Sequence, residues 1–138
     1  PPLIFAFQPD VLVTQLGIDT HFQDPITHLQ LTVQGYTEVV KELGRLSPGR
    51  WLALGGGGYD IPAVIRGWTA AYGLMLDRRW PQQLPGIFQE RYGLKELYDS
   101  EPPEVDPGLQ QEARHYAEQS VAQVRRHVFP THGLRRLV

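Results

Sequence analysis

The chain has 138 residues, a net charge of −2 and no cysteine. Its length suits one ordinary domain, and the charge gives no basic footprint for nucleic acid. No run is apolar enough to span a bilayer, and without cysteine neither a disulfide nor a thiolate metal site is available.

The opening, Pro1-Pro2-Leu3-Ile4, has neither an initiator methionine nor a signal-peptide pattern. It reads as an internal cut in a larger, cytoplasmic protein with no membrane or direct nucleic-acid partner. Residues 3–8 look like the tail of a helix or an apolar connector, and Pro9-Asp10 punctuates before a first strand at 11–16. That strand is almost continuously apolar or β-branched, as expected when both faces of a sheet are covered. A loop over 17–30 follows. A helix is predicted over 32–45, with Thr32 as N-cap and Val33, Tyr36, Val39, Val40 and Leu43 on one stripe. Gly44 and the Ser47-Pro48-Gly49 turn end it.

A second strand at 51–54 runs into Gly55-Gly56-Gly57-Gly58-Tyr59. Asp60-Ile61-Pro62 opens a helix over about 61–76, an aspartate cap with proline in the first turn. Its predicted buried face carries Val64, Trp68, Ala71, Tyr72 and Met75. Strand–helix–strand–helix order implies parallel strands and a right-handed crossover. Residues 78–108, rich in proline and aromatics, read as a surface meander with one short helix near 86–92. A last helix spans roughly 107–128, with Tyr116, Ser120 and Val124 on one side and Arg125-Arg126-His127 at its C-terminal end.

In a parallel α/β sheet the carboxyl ends of the strands form the ligand crevice. Asp19 and Tyr59 therefore fall side by side at that edge, one able to hold a metal and the other to donate a hydrogen bond. The glycine run is no dinucleotide fingerprint, because Asp60 stands where a glycine is needed, and no P-loop, because Tyr59-Asp60 replaces Gly-Lys-Ser/Thr. There is no nucleophile-elbow serine. A phosphate cradle of backbone amides stays open as an alternative. The four glycines serve either a tight turn that lets the next helix pack or the wall of a narrow substrate channel.

Gln15-Leu16-Gly17-Ile18-Asp19, then Asp24-Pro25, Leu31-Thr32 and Gly35-Tyr36, resembles the C-terminal part of zinc-dependent histone-deacetylase-like amidohydrolases. Leu54-Gly55-Gly56-Gly57-Gly58-Tyr59, Arg66-Gly67-Trp68-Thr69 and Pro81-Gln82-Gln83-Leu84-Pro85 continue the likeness over residues 9–85, closest to bacterial acetoin-utilisation-type deacetylases. The resemblance implies an α/β chain: the C-terminal part of a three-layer α/β/α arginase/deacetylase fold with parallel strands, plus a C-terminal helix. Residues 1–138 would then be the C-terminal portion of a single deacetylase domain.

By the same resemblance the intact protein uses Zn2+ or another divalent metal to activate water against the amide of acetyl-lysine or a similar acylated amine. Asp19 matches a metal ligand, the last of three. Tyr59 matches the tyrosine that polarises the substrate carbonyl and stabilises the oxyanion. Gly57 and Gly58 match positions beside the acyl channel, and Ile26 matches its apolar wall. The other ligands and the paired histidines of the family precede this chain, so it is expected to be inactive alone and to need the missing N-terminal part as partner. Its substrates would be an acetylated lysine protein or peptide, or a small acetylated amine. An acetylpolyamine amidohydrolase and a non-catalytic acyl-binding module are the rival readings.

Asp19-Thr20-His21 imitates the spelling of the absent ligand pair. The flanking Gly17 and Asp24-Pro25 instead put Asp19 at the last ligand and leave His21 for the channel rim. Asp24 reads as an Asx-turn carboxylate. Arg66, Trp68 and Thr69 read as helix packing and support for the site. His28 reads as a loop histidine and His115, His127 and His132 as surface residues. The basic cluster Arg125, Arg126, Arg135 and Arg136 reads as a solvated face.

Overall fold

The computed structural model describes residues 1–46 and 49–134. In chain order the elements are α1 (Pro2–Phe7), β1 (Leu12–Gln15), α2 (Val33–Gly44), β2 (Trp51–Leu54), α3 (Ile61–Met75), α4 (Gly86–Tyr92) and α5 (Pro107–His127), with a 3-10 turn at Phe129–His132. The chain divides into two compact units: Val11–Pro103, and Pro1–Asp10 together with the residues from Glu104 onward. Ser47 and Pro48 of the predicted turn, and Arg135 and Arg136 of the basic cluster, lie outside the described residues.

In the larger unit β1 and β2 pair in parallel, Leu12 opposite Trp51 and Gln15 opposite Leu54. The ladder continues on both sides, from Leu12 N to Arg50 O (2.9 Å) and from Leu16 N to Leu54 O (2.8 Å). The predicted strand 11–16 therefore shortens by one residue at each end, the ordinary fraying of an element boundary. Both helix caps form as predicted. Thr32 Oγ1 accepts from Gly35 N at 3.1 Å, and Asp60 Oδ2 accepts from Ala63 N at 2.9 Å.

Leu16, Ile18, Tyr36, Val40 and Ala71 make the core, with Leu43, Trp51, Ala53, Val64 and Leu74 packed against them. Side chains alternate along each strand. Thr14, Trp51 and Ala53 turn toward α2 and α3, whereas Val13, Leu52 and Leu54 are exposed. α2 and α3 cover one face of the sheet, and the other presents exposed apolar side chains.

The buried face of α3 is made of small residues and one arginine. Ala63, Arg66, Gly67, Ala70, Ala71 and Gly73 are buried; of the predicted face, Ala71 is buried and Val64 packs against the core, while Trp68, Tyr72 and Met75 are exposed. A Cβ at Gly67 would come within 2.7 Å of Ile18 Cδ1, so α3 meets the β1 loop closely at that position. In α2, Val39 is likewise exposed and Thr37 is buried instead. The Thr37 hydroxyl is satisfied by the Val33 carbonyl at 2.6 Å.

In the smaller unit Asp106 caps α5 by accepting from Leu109 N at 3.0 Å. No residue of α5 is buried. Tyr116 and Val124 of its predicted apolar side are exposed, as are His115 and His127. Pro2, Leu3, Val121, Val124 and Phe129 line an apolar cavity of about 320 Å³ within this unit. No described helix is long and apolar enough to cross a membrane.

Ile18 is 1% exposed and Leu52 51% exposed. Ile18→Ala is therefore expected to cost about 2–5 kcal/mol in urea unfolding, and Leu52→Ser to stay within about 0.5 kcal/mol. Burial of the Tyr36 phenol, which donates to Leu16 O at 3.1 Å, raises its pKa to about 12. Its contribution is present below the unfolded value of about 10 and is lost as pH rises toward 12. Tyr36→Phe should flatten that alkaline limb in unfolding curves.

Candidate functional site

The site is built where the two strands end. Beyond the last ladder bond, Gly57 O accepts from both Ile18 N (2.7 Å) and Asp19 N (3.3 Å). This stitches the loop after β1 to the glycine run after β2. Side chains on the glycine run would crowd the stitch. A Cβ on Gly56 would lie 2.1 Å from Gln15 Nε2, and one on Gly57 would lie 2.2 Å from Asp19 Oδ2. At Gly58 (φ +149°) a Cβ would meet Ile18 Cγ2 and Val64 Cγ2, each at 2.7 Å. Packing of the first loop's side chains into the second loop thus accounts for glycine at these positions.

Asp19 occupies the gap so made. Its carboxylate lies between Gly17 and Gly57, since a Cβ on Gly17 would fall 2.8 Å from Asp19 Oδ1. The Thr27 hydroxyl donates to the Asp19 carbonyl. Asp24 pins the same loop. Its Oδ1 accepts from Ile26 N (2.9 Å) and Thr27 N (3.1 Å), the predicted Asx turn, and its Oδ2 accepts from Tyr59 N (2.9 Å). Burial works to raise the Asp24 pKa, but the three amides that favour its charged form bring it below the ordinary carboxylate value. Tyr59 is thereby fixed at its backbone while the residue stays 54% exposed. Ile26, on the loop that Asp24 folds, is also exposed. One edge of the sheet therefore gathers Asp19, Asp24, Gly57, Gly58 and Tyr59.

His21 is not at a rim. It is fully buried, and its Nε2 meets Asp99 Oδ2 at 3.2 Å. Because Nδ1 accepts from Gln23 N at 3.2 Å, the ring proton sits on Nε2 and points at Asp99. The expectation for His21 is corrected on that ground: the chain turns inward after Asp19, and Leu31 N closes the loop on Thr20 O at 3.0 Å. His28 is exposed.

Asp99 is the residue that sequence reasoning missed. Its Oδ1 takes Arg66 Nη1 at 2.8 Å and its Oδ2 takes Val33 N at 2.7 Å. The Gln34 side-chain amide clasps the Asp99 backbone through two bonds of 3.0 Å. Burial would raise the Asp99 pKa, yet His21, the Val33 amide and Arg66 together hold it down to about 2. One signal was available: Arg66 lies on the small-residue face of α3, and a buried guanidinium requires a carboxylate. Nothing in the irregular stretch 78–108 marked which one.

Among the described residues no group of three or more His, Cys, Asp or Glu side chains could hold a metal ion. A catalytic zinc takes three protein ligands, so the described residues fit at most one arm of such a site, the Asp19 carboxylate.

A histone deacetylase domain model matches residues 1–75. The acetoin utilization protein AcuC of Bacillus subtilis (strain 168) is 45% identical over 68 residues, 46% of this chain and 18% of that protein. AcuC of Staphylococcus xylosus is 33% identical over 96 residues, 66% of this chain and 24% of that protein. AcuC of Staphylococcus aureus (strain Mu50 / ATCC 700699) is 34% identical over 82 residues, 56% of this chain and 21% of that protein. The matched regions span about a fifth to a quarter of these relatives.

The depressed Asp99 pKa has a thermodynamic consequence. Its contribution to stability is complete above the unfolded value of about 4 and is lost as pH falls toward 2. A loss on the order of 2 kcal/mol across that window is expected in urea titrations, and Asp99→Asn should remove this acid limb while lowering stability at neutral pH.

Proposed function

Because the chain belongs to the histone deacetylase domain family, we propose that it is the C-terminal portion of a single deacetylase domain, of the three-layer α/β/α kind. The protein that contains it removes acetyl groups from acetyl-lysine or similar acylated amines. What supports this reading is one sheet edge where the loops that carry Asp19 and Tyr59 adjoin. Asp19 is stitched to Gly57 through its own amide, and Tyr59 follows two residues later with its backbone on Asp24.

In this reading Asp19 is one ligand of a divalent metal. When bound, that metal supplies Lewis acidity to the carbonyl and the attacking water. The remaining ligands and the acid–base groups belong to residues outside this chain. Tyr59 donates its exposed hydroxyl to the substrate carbonyl oxygen and strengthens that bond as negative charge develops. Its rigid backbone matters here, because a donor gains most where no reorganisation is needed during the reaction. Gly57 and Gly58 keep the adjoining wall free of side chains, so an extended acyl-amine stem can pass close to the backbone. Ile26 adds an apolar contact for that stem. The substrate is an acetylated protein, a peptide or a small acetylated amine.

The test is hydrolysis of an acetyl-lysine peptide by the metal-loaded parent protein. Tyr59→Phe is expected to lower kcat by about 10²–10³, and this chain alone is expected to be inactive. Binding of the peptide by the parent without any turnover would overturn the enzyme reading in favour of a binding module.

A further inference from the structure

Asp19 sits on a loop anchored in front by the Gly57 carbonyl and by the Asp24 bond to Tyr59 N. What holds the loop from behind is His21, two residues on and fully buried. Its Nε2 proton reaches Asp99, a carboxylate that is itself fastened to the first turn of α2 through Val33 N and to α3 through Arg66. The Asp99 main chain is fixed independently by Gln34. The Asp99 side chain is 6% exposed, so these bonds compete little with water, and breaking one leaves a buried polar group unpaired. A carboxylate with two oxygens and several lone pairs can accept all three donors at once. A neutral amide in its place offers one accepting oxygen.

We infer that His21 and Asp99 are positioning residues of the hydrolytic site: the buried His21–Asp99 bond fixes the loop that carries Asp19, with α2 and α3 as its footing. The dyad does no proton transfer in this account. His21 is sealed from solvent, and its second ring nitrogen is spent on Gln23 N. The role rests on the reading of Asp19 and Tyr59 as site residues, and it accounts for why a buried, polar His–Asp–Arg set adjoins the site.

The variants that separate positioning from folding are His21→Leu, which removes the tie but spares the Arg66–Asp99 pair, and His21→Gln, whose amide can donate in place of Nε2. Amide hydrogen exchange on this chain is the first readout. His21→Leu should speed exchange at Ile18, Asp19, Asp24 and Thr27 at least about tenfold, with β1, β2 and α3 protected as before, and His21→Gln should restore it. Unchanged loop exchange, or acceleration spread evenly over the whole unit, would overturn the inference. In the metal-loaded parent, His21→Leu should lower kcat with KM unchanged, and an unaltered kcat would equally overturn it. A wild-type parent with no deacetylase activity would instead sink the proposed function, and the exchange experiment would still decide whether His21 fixes the loop.

Discussion

A carbonyl oxygen with two donors, Gly57 O receiving Ile18 N and Asp19 N, is the contact on which the functional edge of this molecule depends. It forms where the chain omits side chains at the meeting of the two strand-end segments. Three successive residues, Gly56, Gly57 and Gly58, each make room for a different part of the first loop: Gln15, Asp19 and Ile18. The same economy extends to α3, where Gly67 admits Ile18 from the other side. Ile18 is thus clasped between a loop and a helix. Its neighbour Asp19 inherits a fixed place at the surface from an apolar residue buried below it.

Behind this edge lies a polar core as consequential as the apolar one. Asp99 collects donors from the β1 loop, from α2 and from α3. A buried carboxylate would be costly alone, but three donors reverse the balance and keep it ionised well below neutral pH. The arrangement ties together segments far apart in sequence through one residue of an irregular stretch. Asp24 does similar work nearer the surface, joining its own turn to the backbone of Tyr59. The two aspartates divide the task of holding the edge, one from within and one from the rim.

The sheet has an asymmetry that follows from its size. Parallel strands bury both faces when helices cover both, and here α2 and α3 cover one. Val13, Leu52 and Leu54 are left exposed, as are Trp68, Tyr72 and Met75 along α3. Exposed apolar side chains on a sheet face are the ordinary mark of a contact surface. The matched regions span only about a fifth to a quarter of the related AcuC proteins, which carry much more chain than these two strands and their helices.

Much of this was written in the sequence because local rules were enough. The caps Thr32 and Asp60, the glycine-terminated strand at 51–54, the short helix at 86–92 and the Asx turn at Asp24 each depend on neighbours a few residues away. The chain order of strands and helices then forces the parallel pairing that brings the loops of Asp19 and Tyr59 together. Tertiary structure decided what spacing alone leaves open. It buried Arg66 and the small residues of α3 and left Trp68, Tyr72 and Met75 exposed, with Gly67 set close against Ile18. It drew His21 inward rather than to a rim, and it selected Asp99, from a stretch without periodicity, as the counter-charge for Arg66. Contacts between residues 33 and 78 positions apart depend on the closed shape of the core, and no local pattern encodes them.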